Sequence, residues 1–319
     1  MKRLLLPVAA LAVTLALQNS PAGAQASAGQ VAGQTRPSPL APGEIIANAP
    51  KADWVRIAPS DLLVMDLVPD AAGTPRRVVI QLIPAPFSQG WVGNIRKLAA
   101  ARFWDGLSIN RVQDNYVVQW GDGNAEDAAK ARPLPAGLRT MTEGEYVAPV
   151  TARIAPAAAA ERDAYAPHVA IRGGWPIGFD ATAQWPVHCY GMVGVGRDLS
   201  PNTGTGAELY VVIGHAPRHL DRNIALVGRV IEGIEHLSSL PRGTAGLGFY
   251  DKPEKRTALR TIRIGNEVPD LPVYEYLSTE SGSFTKYAEA RANRRDAFFI
   301  RPAGGADVCN IPVPVRRAG

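Results

Sequence analysis

The chain has 319 residues, with 34 Lys and Arg against 29 Asp and Glu, and a formal net charge of +5. The basic residues are scattered along it, which argues against the concentrated positive face that nucleic-acid binding needs. With 46% hydrophobic residues the chain can bury a sizeable core, and its length fits one large domain or a domain with extensions.

Lys2 and Arg3 precede an apolar run over residues 4–17, and Ala22-Gly23-Ala24 forms a small-x-small site. This is the pattern of a secretory signal over residues 1–24, cleaved before Gln25. The run is shorter than the ~20 residues of a typical membrane span. The expectation is an exported soluble protein, periplasmic if the source is a Gram-negative bacterium, with no stable membrane insertion after cleavage. Removing Lys2 and Arg3 lowers the charge to +3.

Residues 25–50 are rich in Ala, Gly, Pro, Ser and Gln and are expected to form a flexible leader. The main domain is expected over residues 51–265. Residues 62–67 and 77–82 are β-rich, with Gly73-Thr74-Pro75 as a turn between them. Ser88 is a plausible helix cap, and Trp91, Ile95, Leu98 and Ala99 follow at helical spacing, so a helix should end near Phe103. Two short strands come next, Ser108-Ile109-Asn110-Arg111-Val112 and Tyr116-Val117-Val118-Gln119-Trp120-Gly121. Residues 124–186, rich in Ala, Pro and charge, predict an insertion of extended excursions rather than a second domain.

Regular patterning returns at residues 187–195 and ends in a strand over residues 259–264. Residues 266–319 predict an extension packed on the main domain. Within it a helix runs from Ser283 through Ala297, and Phe298-Phe299-Ile300 reads as a buried strand. Cys189 and Cys309 permit one disulfide in an oxidising compartment; two buried thiols are the alternative.

Several segments stand in a telling order. They are Asn94-Ile95-x-x-Leu98, Trp104-Asp105-Gly106, Ile109-Asn110-Arg111-Val112 and Tyr116-x-x-Gln119-x-Gly121-Asp122. Together they resemble the cyclophilin-type peptidyl-prolyl isomerases, in which a Phe-His-Arg-Val strand leads to a Phe-x-x-Gln-x-Gly-Asp strand. Gly191-Met192-Val193, Pro201-Asn202-Thr203, Glu208-Leu209-Tyr210, His219-Leu220-Asp221 and Val227-Gly228-x-Val230-x-x-Gly233 extend the resemblance from about Arg77 to Gly265. It implies a mainly β fold: an eight-stranded antiparallel β-barrel with flanking helices, here with a long insertion and a C-terminal extension.

The activity implied is rotation about X-Pro bonds, which needs no nucleophile, metal or other cofactor. That rotation faces a barrier near ~20 kcal/mol because the amide must lose its resonance. The resemblance assigns Arg111 and Gln119 to catalysis. A guanidinium suits it because it is always charged and offers several donors on a planar fork. Tyr116, Val117, Glu208, Leu209, Tyr210, His219, Leu220 and Ile224 fall at substrate-binding positions. Strict alternation along residues 107–112 sends Arg111 to the same face as Leu107 and Ile109. There it is either the donor to the twisted amide or a structural Arg paired with Asp122 or Glu208.

Departures from the family pattern are Ile109-Asn110 in place of Phe-His, Ile224 in place of a pocket His, Glu208 in place of Gln, and Gly196-Arg197-Asp198 in place of Ala-Asn-Ala. They keep open the alternatives of a proline-peptide-binding module or chaperone with little catalysis, and of a structural envelope protein. The expected partners are proline-containing segments of exported proteins, met by a monomer. His215 and His219 have a metal-like spacing, but Pro217 lies between them and no metal site is expected.

Overall fold

The computed structural model describes residues 39–160 and 162–319. The expected signal sequence and the expected leader up to residue 38 lie outside the described residues. In chain order the described part begins with helix α1 (Pro42–Ala47) and strand β1 (Trp54–Arg56). The hairpin β2 (Leu62–Leu67) and β3 (Arg76–Leu82) precedes helix α2 (Gln89–Ala100), and the hairpin β4 (Ser108–Val112) and β5 (Val117–Gly121) follows it. The insertion carries β6 (Ala148–Pro149), β7 (His168–Arg172), β8 (Trp175–Phe179) and β9 (Ala183–Pro186). Then come β10 (Met192–Val195), β11 (Leu209–Val212), β12 (Leu226–Glu232), the short helix α3 (Glu235–Ser238) and β13 (Thr257–Ile264). The extension adds β14 (Tyr274–Leu277), α4 (Gly282–Ala292) and β15 (Val315–Arg317).

Eight strands close an antiparallel barrel in the order β10-β11-β5-β4-β13-β2-β3-β12. Period-two alternation decides what fills it. Leu63, Met65 and Leu67 of β2 and Val78, Ile80 and Leu82 of β3 belong to the main core. Leu62 and Val79 face the other way and are buried beneath Tyr274 of the extension. Helix α2 contributes Trp91, Ile95 and Leu98 to the same core, and the Trp91 indole N–H donates to the carbonyls of Thr203 and Gly204.

The insertion is more ordered than an extended excursion: β6, β9, β8 and β7 form a four-stranded sheet. Its Val169, Trp175, Ile177 and Trp185 join the barrel core, so it forms no separate domain. The extension pairs β14 with both β1 and β15. Cys189, just before β10, is bridged to Cys309, 120 residues later.

Three local expectations are corrected. Part of the leader is helical, since α1 occupies residues 42–47 and buries Pro42. The C-terminal helix stops at Ala292, and just beyond it Arg294 pairs with Asp296 in a turn. Phe298-Phe299-Ile300 forms no strand and pairs with no neighbouring strand. Phe298 and Ile300 are 83% and 95% exposed, and Arg294 lies over the Phe299 ring.

Candidate active site

Arg111 owes its position to an irregularity in β4. Ile109 pairs with Trp120, but Arg111 pairs with Gln119, so two steps along β4 match one along β5. The extra residue is Asn110. Such a bulge breaks the alternation of faces. Ile109 and Val112 both point into the barrel core, while Arg111 is turned to the outer face beside Gln119. The expected sharing of a face by Arg111, Leu107 and Ile109 is thus corrected. The buried Asn110 side chain holds the bulge: its Nδ2 donates to the Gly121 carbonyl at 3.0 Å, and Ser108 Oγ donates to its Oδ1 at 2.7 Å.

The guanidinium is half-buried and held by neutral acceptors. Nε donates to the Leu247 carbonyl at 2.7 Å, one terminal nitrogen to Gln119 Oε1 at 2.9 Å, and the other to Gln113 Oε1. Neither Asp122 nor Glu208 forms an ion pair with it. Burial lowers its pKa, opposed by Tyr116 and Glu208. A guanidinium has five N–H groups, so these three bonds leave two for another acceptor. Gln119 is oriented from both sides, since its Nε2 donates to Glu208 Oε1.

An apolar cluster lies on the same outer face. Val117, Tyr210 and Val212 are buried together, with Tyr116 and Ile224 packed against them. The guanidinium carbon lies 5.5 Å from the Tyr116 ring centre and 5.5 Å from that of Phe249. Neighbouring strands agree on the arrangement, because Tyr210 pairs with Gln119 and Val212 with Val117 across β11 and β5.

A family profile described as "Cyclophilin type peptidyl-prolyl cis-trans isomerase/CLD" matches residues 76–264. The chain belongs to this family. Isomerisation of X-Pro bonds is its enzymatic class, and cyclophilins bind proline-containing peptides. Among solved structures it is similar to cyclophilin AquaCyp293 from Hirschia baltica, at 21% identity and a TM-score of 0.61 over 83% of this chain and 94% of that one. A Cryptosporidium parvum cyclophilin-type isomerase determined in the presence of the dipeptide Ala-Pro is 12% identical, with a TM-score of 0.37 over 63% of this chain and 98% of that one. No curated protein sequence matches at a significant level.

Within this cyclophilin, the residues expected at the site divide into two groups. Arg111, Gln119, Glu208, Tyr116, Val117, Tyr210 and Ile224 come together. Leu209 does not, because alternation along β11 turns it into the barrel core, where it is fully buried. His219 is exposed in the turn after Pro217, and Leu220 is half-buried beside it; neither joins the apolar cluster.

Other residues at this cyclophilin site carry no local signal in the sequence. Leu247 and Phe249 belong to a loop that bridges to Arg111 across more than a hundred residues. Gln113 is a third partner of the guanidinium. Gly194 is needed because a Cβ there would lie 2.3 Å from the Tyr210 hydroxyl. Among the described residues no group of three or more His, Cys, Asp or Glu could hold a metal ion.

Proposed function

We propose that this cyclophilin isomerises X-Pro bonds in exported proteins, with Arg111 as the hydrogen-bond donor and the Tyr116, Val117, Tyr210, Val212 and Ile224 cluster as the seat of the proline ring. A donor accelerates the rotation if its contact strengthens as the proline nitrogen pyramidalises and gains electron density. Gln119 keeps the Arg111 fork in register and presents its amide next to it. The observation that carries this reading is the half-buried Arg111 guanidinium, which has neutral partners and lies over an aromatic ring beside an apolar cluster. Arg229 is also held by neutral acceptors, Gln81 and the Gly174 carbonyl, but it is buried, whereas Arg111 is partly exposed beside the apolar cluster.

The secretory pattern over residues 1–24 supports export, to the periplasm if the source is a Gram-negative bacterium, so the substrates proposed are envelope or secreted proteins. The deciding measurement is cis-to-trans isomerisation of a short X-Pro peptide by the mature protein. Arg111→Ala is expected to lower kcat/KM by about 100-fold or more, the effect of removing one transition-state donor. A folded variant with undiminished activity would sink the role of Arg111.

The hydrogen bond from Gln119 to Glu208 favours a second reading. It engages the Gln119 amide and puts a carboxylate where the family has Gln, which supports a peptide-binding module with little catalysis. Binding of X-Pro peptides without rate enhancement would favour that reading.

A further inference from the structure

The Tyr210 ring belongs to the apolar cluster, and its hydroxyl has a buried partner. His188 is 0% exposed, and its Nε2 lies 2.9 Å from the Tyr210 hydroxyl. Its Nδ1 lies 2.9 Å from Asp221 Oδ1, which also accepts from the His188 backbone N–H. Asp221 is in turn ion-paired with Arg218 at 2.5 Å, and Arg218 makes a two-pronged pair with Asp163 at 2.8 and 3.1 Å. Asp163 comes from the insertion and is fixed by the backbone N–H groups of Tyr165 and Ala166. The side chains of Asp163, Arg218, Asp221 and His188 are all nearly inaccessible to solvent.

The polarity of the chain sets the tautomer. Asp221, paired with Arg218, can only accept, so Nδ1 of His188 carries the proton and Nε2 is left to accept from Tyr210. Burial holds the imidazole in its neutral form against the pull of Asp221. Any rotation of the Tyr210 ring towards the pocket would strand a buried hydroxyl and a buried ring nitrogen together. Gly194 leaves the space in which the phenol lies.

We propose that His188 is a positioning residue of the proline pocket. It fixes the Tyr210 ring through its hydroxyl, and the chain of Asp221, Arg218 and Asp163 makes the insertion the far anchor of that pocket wall. The proposal rests on the pocket assigned under the proposed function.

The test is titration of the mature protein with an X-Pro peptide, alongside turnover, for wild type and variants. Tyr210→Phe keeps the ring and removes only the hydroxyl. His188→Asn keeps a donor for Asp221 and loses the acceptor for Tyr210, whereas His188→Gln places an acceptor near the Nε2 position. The expected result is a 3- to 10-fold weaker peptide affinity for Tyr210→Phe and for His188→Asn. The double variant should be no worse than either alone, with partial recovery in His188→Gln. In the wild type, imidazole nitrogen resonances should show Nδ1 protonated and Nε2 bare.

Unchanged affinity in Tyr210→Phe, or additive losses in the double variant, would overturn the proposal while leaving the isomerase reading intact. A wild type that neither binds nor turns over proline peptides would overturn both. Tyr210→Phe guards against the case in which His188→Asn does not fold, because it disturbs no ion pair.

Discussion

Glu208 is the residue at which this site departs most from an uncharged groove. Burial pushes its carboxyl above the ordinary value, the Gln119 bond opposes that, and the charges on Asp198 and Arg111 pull in opposite directions. A raised pKa means that the folded protein keeps a proton which the unfolded chain has already lost. The stabilising contribution of this group is therefore present below the ordinary carboxylate pKa and is lost as pH rises through the folded value. Glu208→Gln, which keeps an acceptor for Gln119, is expected to raise the unfolding temperature at neutral pH and to change it little below pH ~4. Thermal melts at the two pH values check the sign; an equal shift at both would show that packing, not charge, governs the site. The same residue scale shows what spacing alone can and cannot reveal. Arg111 and Gln119 are legible because their separation follows a strand hairpin. His188 is not, because its partners Tyr210, Asp221 and, through Arg218, Asp163 are brought to it by different elements.

At the scale of elements, the bulge in β4 decides which side of the barrel carries Arg111. Asn110→Ala removes both side-chain bonds that hold it. The expected cost is roughly 1–3 kcal/mol for leaving the buried Gly121 carbonyl and its neighbour short of partners. Activity should fall with it, as Arg111 loses its fixed relation to Gln119. Denaturant unfolding and the X-Pro assay together measure this; a stable variant with full activity would mean the backbone holds the bulge unaided. The barrel strands were legible from alternation and from the order of the motifs, and the family match over residues 76–264 covers nearly the same stretch. A bulge is invisible to the period-two rule, so alternation alone puts Arg111 on the face opposite to the one it occupies. Alternation also separates Leu209 from Tyr210, once the register with β5 says which of the two points outward. Phe298-Phe299-Ile300 departs from its strand-like composition for a different reason. Composition marks it as able to form a strand, but a strand also needs a neighbour.

Across the whole molecule, the insertion and the extension are built onto the barrel rather than hung from it. Trp175 and Trp185 of the insertion and Phe284 and Tyr287 of α4 share its core. The Cys189–Cys309 bridge fastens the extension covalently. Its loop of 120 residues removes enough unfolded-chain entropy to contribute up to about 4–5 kcal/mol. Reduction is therefore expected to lower the unfolding free energy by several kcal/mol without opening the barrel at the site. Denaturant titration with and without reductant, read against X-Pro turnover, checks this; loss of activity in parallel with thiol release would instead tie the site to the extension.

The bridge also bears on how the chain can be dismantled. A processive protease that grips the C-terminus and draws the polypeptide through a narrow pore can peel β15 from β14 and advance as far as residue 310. At Cys309 it meets a branch point, where the backbone before Cys309 and both backbone arms of Cys189 must enter the pore together. While the bridge stands, threading from the C-terminal side stops at Cys309. Degradation from that end is therefore expected to speed up when the bridge is reduced.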